Sequence, residues 1–396
     1  MRQGEFIVLS ASAMILTALG IDIMLPAFSE LRQDFGLDPK STETAKIISY
    51  FFLGQIAQIV FGTLSDRFGR LPVLRIGFPL YILGGIAAAL APSLTPMLIA
   101  RFVAGVGASA VFMTTIAGVR DRFIGNEMAR IMSLIFTVFL LTPVFAPFLG
   151  SAILHISSWK TVFLIPPTFG LIIFLWSMRL EESLPKTKRI PLSLSSLRKS
   201  VKIVLNNRTF LRYITITTLL FSALSAYVAS SEHIIGEIYR APTLFKWIFG
   251  GMGMFMALST FTNSYLSSRY GAKRTVKFLL LFYTFIALGL VICVFLFGEP
   301  LNMTFFFSAV TLLMALNLAL EPNSSALALE PMGDRAGIAS SIYGTIFFSV
   351  GSVLGSVISA RMTDSVVPLI VAYFFIGIIA LTLALCDSRS HQQKIT

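Results

Sequence analysis

The sequence predicts an all-α polytopic membrane protein with twelve transmembrane helices in two pseudo-symmetric six-helix halves. Three observations favour this fold class: the composition, the number of span-length apolar segments and the distribution of basic residues. Of the 396 residues, 56% are hydrophobic and only 13% are charged, whereas a soluble domain carries about 25% charged residues. The composition therefore excludes an ordinary water-soluble fold and a disordered chain.

A helix that crosses a bilayer needs about 20 predominantly apolar residues, and the chain offers twelve such segments, separated by short charged or Pro/Gly-rich breaks. Their approximate bounds are residues 6–27, 45–65, 71–91, 96–119, 128–154, 161–180, 209–231, 245–267, 275–297, 302–329, 337–361 and 366–386. The one long polar interval, Arg179 to Arg208, separates six spans from six. We therefore predict an N-terminal half (1–180), a cytoplasmic linker (181–208) and a C-terminal half (209–396).

The basic residues indicate the orientation, because cytoplasmic loops of membrane proteins are enriched in Lys and Arg. With both termini in the cytoplasm, 23 of the 31 basic residues lie on the cytoplasmic side, seven lie on the other side, and Arg101 alone falls inside a span. The net charge of +12 is thus explained by topology, and we expect no nucleic-acid partner.

An internal repeat relates the two halves. Residues 62–70 read GTLSDRFGR, and residues 264–274, 202 positions later, read SYLSSRYGAKR. Leu, Arg, an aromatic residue and Gly coincide, whereas serines replace Gly62 and Asp66 in the second copy. A repeat of half the chain in the same orientation is typical of transporters built from two parallel six-helix halves.

The first copy of this loop resembles the signature G-x-L-x-D-R-x-G-R-[RK] of the major facilitator superfamily, with Leu71 departing at the last position. Its glycines permit a tight turn, and Asp66 lies near helix ends, where its charge can pair with arginines such as Arg122. Such a cluster can hold one conformation closed and release it in another. We expect this conformational gate to consist of Gly62, Asp66, Arg67, Gly69, Arg70 and Arg122.

Further segments resemble the bicyclomycin/chloramphenicol-resistance (Bcr/CflA) branch of drug:proton antiporters. IDIMLPA at 21–27 is similar to the branch's TDMYLPA, and RFVAGVGA at 101–108 resembles R-x-x-Q-G-x-G-A with Ala104 in place of Gln. TPVFAPFLGS at 142–151 resembles A-P-x-x-A-P-x-L-G-G with Ser151 in the last position. Residues 323–331 and 336–344 resemble two further segments of the branch. The resemblance implies the major facilitator fold and transport activity.

Ionisable groups inside the spans are the candidates for the mechanism, because a charge at the bilayer centre costs several kcal/mol without a partner. Asp22 in the first span and Arg101 in the fourth are expected to pair directly or through water. Alternation between a desolvated environment and one near Arg101 would let Asp22 bind a proton on one side and release it on the other. In the alternative interpretation, Asp22 caps a helix end and Arg101 snorkels to the interface.

Two further acids, Glu232 and Glu321, depart from the branch pattern. If they face the central cavity, they would favour a cationic or amine-bearing substrate and offer further proton sites. Glu232 is equally compatible with an exposed loop. Tyr227 and Asn323 are also candidates for the cavity, because polar groups on buried spans need partners.

The fifth predicted span contains residues that permit bending and close packing, properties that a rocking mechanism uses. The residues predicted to bend this helix are Pro143, Pro147 and Gly150.

These observations predict a proton-coupled secondary active transporter, a multi-pass monomer of the bacterial inner membrane, surrounded by lipid. We expect it to export a small amphipathic or cationic compound by alternating access, with protons as the coupling ion and no metal or other cofactor. The alternative is a proton symporter that imports a nutrient or siderophore. An intramembrane enzyme is disfavoured, because His155, His233 and His391 form no metal-binding or nucleophile–base pattern with acids. The sequence shows no ATP-binding Gly-rich loop, so energy from ATP hydrolysis would require a separate subunit.

Overall fold

The computed structural model describes residues 1–189 and 194–386, so part of the predicted linker and His391 lie outside the described residues. Within these ranges the chain forms helices and no strand, and the all-α prediction is confirmed. The helices are α1 (Gln3–Asp22), α2 (Phe28–Asp34), α3 (Lys46–Gly54), α4 (Gln58–Phe68), α5 (Arg70–Ala89), α6 (Leu94–Arg122), α7 (Gly125–Leu154), α8 (Trp159–Ser177), α9 (Leu194–Asn206), α10 (Arg208–His233), α11 (Phe245–Tyr270), α12 (Ala272–Phe297), α13 (Met303–Leu329), α14 (Ala336–Thr345), α15 (Gly351–Ser359) and α16 (Val367–Leu385).

Twelve helical segments of the described chain are long and apolar enough to cross a membrane, and each overlaps one predicted span. They are Gln3–Asp34, Glu43–Phe68, Arg70–Ala89, Leu94–Arg122, Arg130–Leu154, Trp159–Ser177, Arg208–Ile238, Pro242–Tyr270, Ala272–Phe297, Met303–Gly333, Gly337–Ser359 and Val367–Leu385.

The first span is longer than predicted. Pro26, expected near its end, instead lies in a 3₁₀ turn, Leu25–Ala27, after which the chain continues as α2. This is possible because a proline in a first helical turn needs no backbone donor. Arg32, predicted in a loop, therefore lies inside the first span with only 2% of its surface exposed. The prediction that Arg101 is the one basic residue inside a span is thus wrong.

The chain divides into two compact units. The first comprises Met1–Pro39 and Lys46–Arg198. Within it, α6 packs against α5, α3 and α1, while α5 also packs against α8, and α1 packs against α7. Gly54 of α3, Gly84 of α5 and Gly107 of α6 each lie directly against the backbone of a neighbouring helix, which is the close packing that small residues allow in membrane proteins.

The second unit comprises Lys40–Ala45 and Lys199–Thr396. Within it, α13 packs against α10, α11 and α12, while α12 also packs against α16, and α10 packs against α15. The pairings follow the same scheme as in the first unit: the fourth span of each unit packs on its first three, the third on the sixth and the first on the fifth. The internal repeat seen in the loop sequences thus extends to helix packing.

The two repeated loops also share a backbone conformation. Gly69 ends α4 and precedes α5 with φ 105° and ψ 171°, and Gly271 ends α11 and precedes α12 with φ 79° and ψ 152°. This region of backbone space is essentially restricted to glycine. The shared glycine of the repeat therefore makes the same abrupt helix-to-helix turn in both units.

Candidate functional site

Asp22 is the last residue of α1, at the point where the first span changes direction into the 3₁₀ turn. Its side chain is buried, with 5% of the residue exposed. It has no ion pair and no side-chain hydrogen bond to any residue that the structure describes. Because the helix is interrupted here, the carboxyl group lies at an irregular point of the first span. The alternative interpretation, in which Asp22 caps a helix end, fits its position at the end of α1, but its side chain accepts no backbone hydrogen bond from a described residue.

Arg101 approaches the same part of α1 from α6 but does not pair with Asp22. It is 1% exposed, and its Nη2 donates to the carbonyl oxygen of Gly20 at 2.6 Å. Its guanidinium carbon lies 4.4 Å from the centroid of the Phe51 ring. The expected direct pair is thus replaced by a backbone carbonyl and an aromatic face, and snorkelling to an interface does not occur.

One donor of Arg101, Nε, is buried without a partner among the described residues. Beside this site, the hydroxyl of Tyr81 donates to the carbonyl oxygen of Leu16 at 2.8 Å, so a second polar side chain reaches the backbone of α1. Arg101 therefore contacts the stretch of α1 that ends in Asp22, but the two side chains form no ion pair.

Gly150 places α7 directly against the interruption that follows Asp22. A Cβ atom at Gly150 would collide with the carbonyl oxygen of Ile23 and would lie 3.4 Å from Cγ of Pro26. Pro143 and Pro147 lie inside α7, which is one continuous helix in this structure. The helix-bending role of this set stays a prediction, while the close approach of Gly150 has a direct structural reason.

The predicted gate lies at the junction of α4 and α5, where Glu182 supplies an unpredicted partner. Its carboxylate accepts hydrogen bonds from the backbone N–H groups of Arg70 (2.8 Å) and Leu71 (3.1 Å). These are the first, otherwise unpaired donors of α5, and a carboxylate there is also favoured by the helix dipole. A Cβ atom at Gly69 would collide with this carboxylate, so Gly69 is needed both for its backbone angles and for the space.

The side chain of Arg70 connects three groups in this network. Its Nε and Nη2 donate to Asp121 at 2.7 and 3.2 Å, and its Nη1 donates to Asp66 at 2.6 Å and to the hydroxyl of Ser65 at 3.0 Å. The residue is 8% exposed. A bidentate, largely buried arginine–carboxylate arrangement is stronger and more directional than an exposed ion pair.

Arg122, by contrast, does not pair with Asp66 as expected. Its Nη2 donates to the carbonyl oxygen of Glu181 at 3.0 Å, and its guanidinium carbon lies 4.2 Å from the centroid of the Phe6 ring. Arg70 is closer to Asp66 because the two residues are four positions apart across the turn. Arg122 instead joins the end of α6 to the segment after α8.

The remaining gate residues make fewer contacts. Arg67 is exposed and lies over the ring of Phe68, with 4.9 Å between its guanidinium carbon and the ring centroid. Gly62 is half-buried within α4. The structure therefore brings Asp66, Gly69 and Arg70 into one network and leaves these two residues beside it.

In the second unit, Glu321 of α13 meets Tyr343 of α14. The hydroxyl of Tyr343 donates to Oε1 of Glu321 at 3.3 Å. Ser325 lies within hydrogen-bonding reach of the same carboxylate, and Thr217 of α10 lies within reach of the Tyr343 hydroxyl. No lysine, arginine or histidine of the described residues forms an ion pair with Glu321. The carboxylate is thus surrounded by neutral hydroxyl groups.

Aromatic rings continue from this carboxylate. The Tyr343 ring is stacked on Phe347, with 5.9 Å between centroids and 14° between planes, and Phe347 lies 4.5 Å from Phe221. Phe347 belongs to a π-helical turn, Ile346–Val350, between α14 and α15. Such turns frequently occur at functional sites.

Tyr227 of α10 and Asn323, two residues after Glu321 on α13, make contacts between helices of the unit. The hydroxyl of Tyr227 donates to the sulfur of Met252 at 2.9 Å, and its ring is stacked on Phe249. Nδ2 of Asn323 donates to Oδ1 of Asn263 at 2.6 Å, which joins α13 to α11. Neither side chain has a contact with Glu321 or Tyr343 in the structure.

Glu232 is not an exposed loop residue. It lies in the last turn of α10 with 8% of its surface exposed. Its neighbour His233 is 3% exposed, and Nε2 of this histidine hydrogen-bonds to the carbonyl oxygen of Thr363 at 2.8 Å. α10 continues after His233 as a π-helical turn, Ile234–Ile238, which buries the two residues. Glu232 and Glu321 are therefore separate sites near opposite ends of the second unit's helices.

Sequence reasoning missed three residues that the structure makes central. Asp121 stands between Arg120 and Arg122, two basic residues that in sequence indicate only topology. Glu182 is the second residue of the predicted linker and follows Glu181. An acid on a face rich in basic residues is the signal that the sequence offers for both Asp121 and Glu182. Tyr343 lies within a segment that is recognised by its resemblance alone. Among the described residues, no group of three or more His, Cys, Asp or Glu side chains forms a metal-binding cluster.

The family model of the Major Facilitator Superfamily matches residues 10–356 of the chain. The chain belongs to the major facilitator superfamily. It is accordingly a multi-pass membrane transporter of small molecules and not an enzyme, and the family resemblance of its loop and span motifs is confirmed.

Known members of the superfamily cover nearly all of the chain. An uncharacterized MFS-type transporter of Bacillus subtilis, YdgK, is 30% identical over 359 residues, which is 89% of this chain and 88% of that protein. The bicyclomycin resistance protein homolog of Haemophilus influenzae is 26% identical over 358 residues, 90% of this chain and 89% of that protein. This second similarity supports the predicted resemblance to the Bcr/CflA branch.

A solved member of the superfamily shows the same fold. The crystal structure of a D-xylose-proton symporter aligns with a TM-score of 0.74 over 97% of this chain and 97% of that chain, at 12% sequence identity. At this identity the likeness concerns the fold alone.

Proposed function

We propose that this transporter exports small amphipathic or cationic compounds from bacteria across the inner membrane, driven by protons that enter through Asp22. The observation that carries the proposal is the buried carboxyl at the interruption of the first span, which forms no ion pair with any described residue. The similarity to a bicyclomycin resistance protein homolog supports export.

The reason is energetic. An ionised carboxylate inside an apolar span is costly unless it is paired or hydrogen-bonded. In the present geometry the neutral, protonated carboxyl is therefore the favoured form of Asp22. Arg101, whose Nη2 is bonded two residues earlier on α1, is the cation that would stabilise the ionised form after a rearrangement. Such a rearrangement would expel the proton, which is the event that coupled transport requires.

The second unit supplies the substrate contact in this proposal. A carboxylate among hydroxyl groups, followed by stacked aromatic rings, suits an organic cation: Glu321 would pair with its charge and the Tyr343–Phe347 stack would contact its apolar part. Binding of the cation to Glu321 would replace the 3.3 Å hydrogen bond from Tyr343. Neutral amphipathic compounds would use the rings without the carboxylate.

The network around Arg70 would hold one conformation of the first unit. It joins the α4–α5 turn to the end of α6 through Asp121 and to the segment after α8 through Glu182. Separation of the α4–α5 turn from α6 and from the segment after α8 would require these charge-assisted hydrogen bonds to break together. The turn would therefore switch between two states rather than move gradually.

Uphill transport into proteoliposomes tests direction and coupling together. The probe is a fluorescent quaternary ammonium dye, which cannot be trapped passively as a weak base is, and protein-free liposomes are the control. An antiporter accumulates the dye when the lumen is acidic, because protons leave as dye enters. Accumulation only with an alkaline lumen would instead establish symport. Equal uptake with and without a pH gradient would contradict proton coupling.

A further inference from the structure

The segment that contains α9 and most of α10 carries an unbalanced positive charge. Residues 183–231 contain eight lysines and arginines and no aspartate or glutamate. Three of the basic residues, Arg198, Lys199 and Lys202, lie on α9 (Leu194–Asn206). The nearest acids in sequence, Glu181 and Glu182, are engaged with the first unit. The charge on α9 is therefore not explained by local ion pairing.

α9 is amphipathic. At the helical period, Val201, Val204 and Leu205 fall on one stripe, whereas Arg198, Lys199 and Lys202 fall on the adjoining face. Val204 is fully buried, while Leu205 is 38% exposed. Part of the apolar stripe thus packs on the protein, and part of it remains uncovered next to the basic face.

The position of α9 is fixed by the span that follows it. Only Asn207 separates α9 from α10, and its Oδ1 caps α10 by accepting from the backbone N–H of Phe210 at 2.9 Å. Because α10 begins a membrane-spanning segment, the C-terminal end of α9 lies at the membrane surface. Leu211, in the first turn of α10, is 39% exposed and continues the uncovered apolar surface from α9 toward the bilayer.

The basic side chains of α9 point away from protein partners. Arg198, Lys199 and Lys202 are exposed and form no ion pair within the described part of the chain. By comparison, Arg70 and Arg179 of the first unit are both paired with carboxylates. A helix with an apolar stripe and an adjoining basic face lies in the plane of an interface and attracts anionic lipid.

We propose that α9 is an interfacial helix that binds the headgroups of anionic phospholipids, with Arg198, Lys199 and Lys202 contacting their phosphates. Leu205 and Leu211 lie against the acyl chains next to the headgroups. The inner leaflet is the partner surface, since the excess of basic residues places this segment on the cytoplasmic side. The proposal is independent of the proton mechanism and of the transported compound.

Native mass spectrometry of the purified full chain tests it, with phosphatidylglycerol and phosphatidylcholine as the added lipids. The variant Arg198→Gln/Lys199→Gln/Lys202→Gln should lose phosphatidylglycerol affinity by about fivefold for each basic residue removed and keep its phosphatidylcholine binding. The control carries the same charge change at the start of α12. Its substitutions are Lys273→Gln, Arg274→Gln and Lys277→Gln, and its loss of phosphatidylglycerol affinity should be clearly smaller than that of the α9 variant.

Two further arms separate binding of the lipid headgroup from misfolding of the variants and from binding of free phosphate. The charge-conserving variant Arg198→Lys/Lys199→Arg/Lys202→Arg should retain phosphatidylglycerol binding, and thermal unfolding of all variants verifies that they are folded. Inorganic phosphate at equal concentration should not displace the lipid. Unchanged phosphatidylglycerol affinity in the glutamine variant, an equal loss in the α12 control, or displacement by free phosphate would each overturn the proposal.

Discussion

Asp22 and Glu321 are two carboxyl groups inside spans, the first buried and the second partly buried, and their different surroundings assign them different roles in the proposed cycle. Asp22 has no polar partner among the described residues, so a proton is the simplest way to satisfy it. Glu321 accepts from Tyr343 and adjoins stacked rings, so it can bind a larger cation. The sequence alone identified both acids, since charges in apolar spans are few, but it could not reveal these surroundings.

Replacement of Glu321 tests its proposed role in recognising charge. Glu321→Gln should weaken binding of a quaternary ammonium dye about tenfold, equivalent to about 1.4 kcal/mol, because the charge partner is lost while shape is kept. Binding of neutral chloramphenicol should change little. Equilibrium binding to purified protein measures both affinities. The matched control is Glu330→Gln, an exposed acid just after α13; parallel losses for both ligands, or in the control, would refute the assignment.

At the scale of helices and turns, the sequence predicted the number and approximate position of the spans because apolar length is a strong signal. It was wrong about the end of the first span, where Pro26 does not end the helical segment. The partners of Arg70 and Arg122 could not be predicted either, because helix ends distant in sequence meet only in the fold. Glu182, 112 positions from Arg70, is the clearest example.

The two repeated turns offer an internal comparison of helix capping. Gly69 and Gly271 have similar backbone angles, but only Gly69 faces a carboxylate, whereas a Cβ atom at Gly271 would meet nothing within 4 Å. Gly271→Ala should cost about 1–3 kcal/mol of stability from backbone strain. Gly69→Ala should cost more, because its Cβ displaces Glu182 from the first turn of α5.

Thermal unfolding in detergent measures this difference, and a double variant isolates its cause. In the Glu182→Ala background, Gly69→Ala should cost only about as much as Gly271→Ala, since the steric partner is gone. If the two glycine variants are equally destabilised in the unchanged background, the carboxylate cap is not what restricts position 69.

At the scale of the whole molecule, the sequence predicted most through its distribution of charge and its repeat. The helix pairings within each unit follow one scheme, as a parallel repeat requires. The charge network around Arg70 is not repeated. In the second copy of the loop, Ser268 and Ala272 stand where the first copy has Asp66 and Arg70. Arg269 instead donates to the hydroxyl of Tyr265 at 2.7 Å. The repeat therefore preserves architecture, while the ionic network around Arg70 has no counterpart among the described residues of the second copy of the loop.

Orientation can be tested with the chain's own cysteines. Cys386 is exposed at the end of α16, and Cys293 is partly buried in α12. In a Cys293→Ser variant, a membrane-impermeant maleimide should label Cys386 in inverted vesicles and not in intact spheroplasts, because the excess of basic residues places the C-terminus in the cytoplasm. Labelling in intact spheroplasts would reverse the predicted topology.

The central claim is that Asp22 carries the coupled proton, and proton movement on addition of substrate tests it most directly. Proteoliposomes with a pH-sensitive dye in the lumen should show a substrate-dependent proton flux for the unchanged protein. Asp22→Asn should abolish this flux and still bind substrate and unfold at a similar temperature, while Asp38→Asn, the same change at an exposed position, should leave it intact. A normal substrate-dependent proton flux in Asp22→Asn would contradict the account.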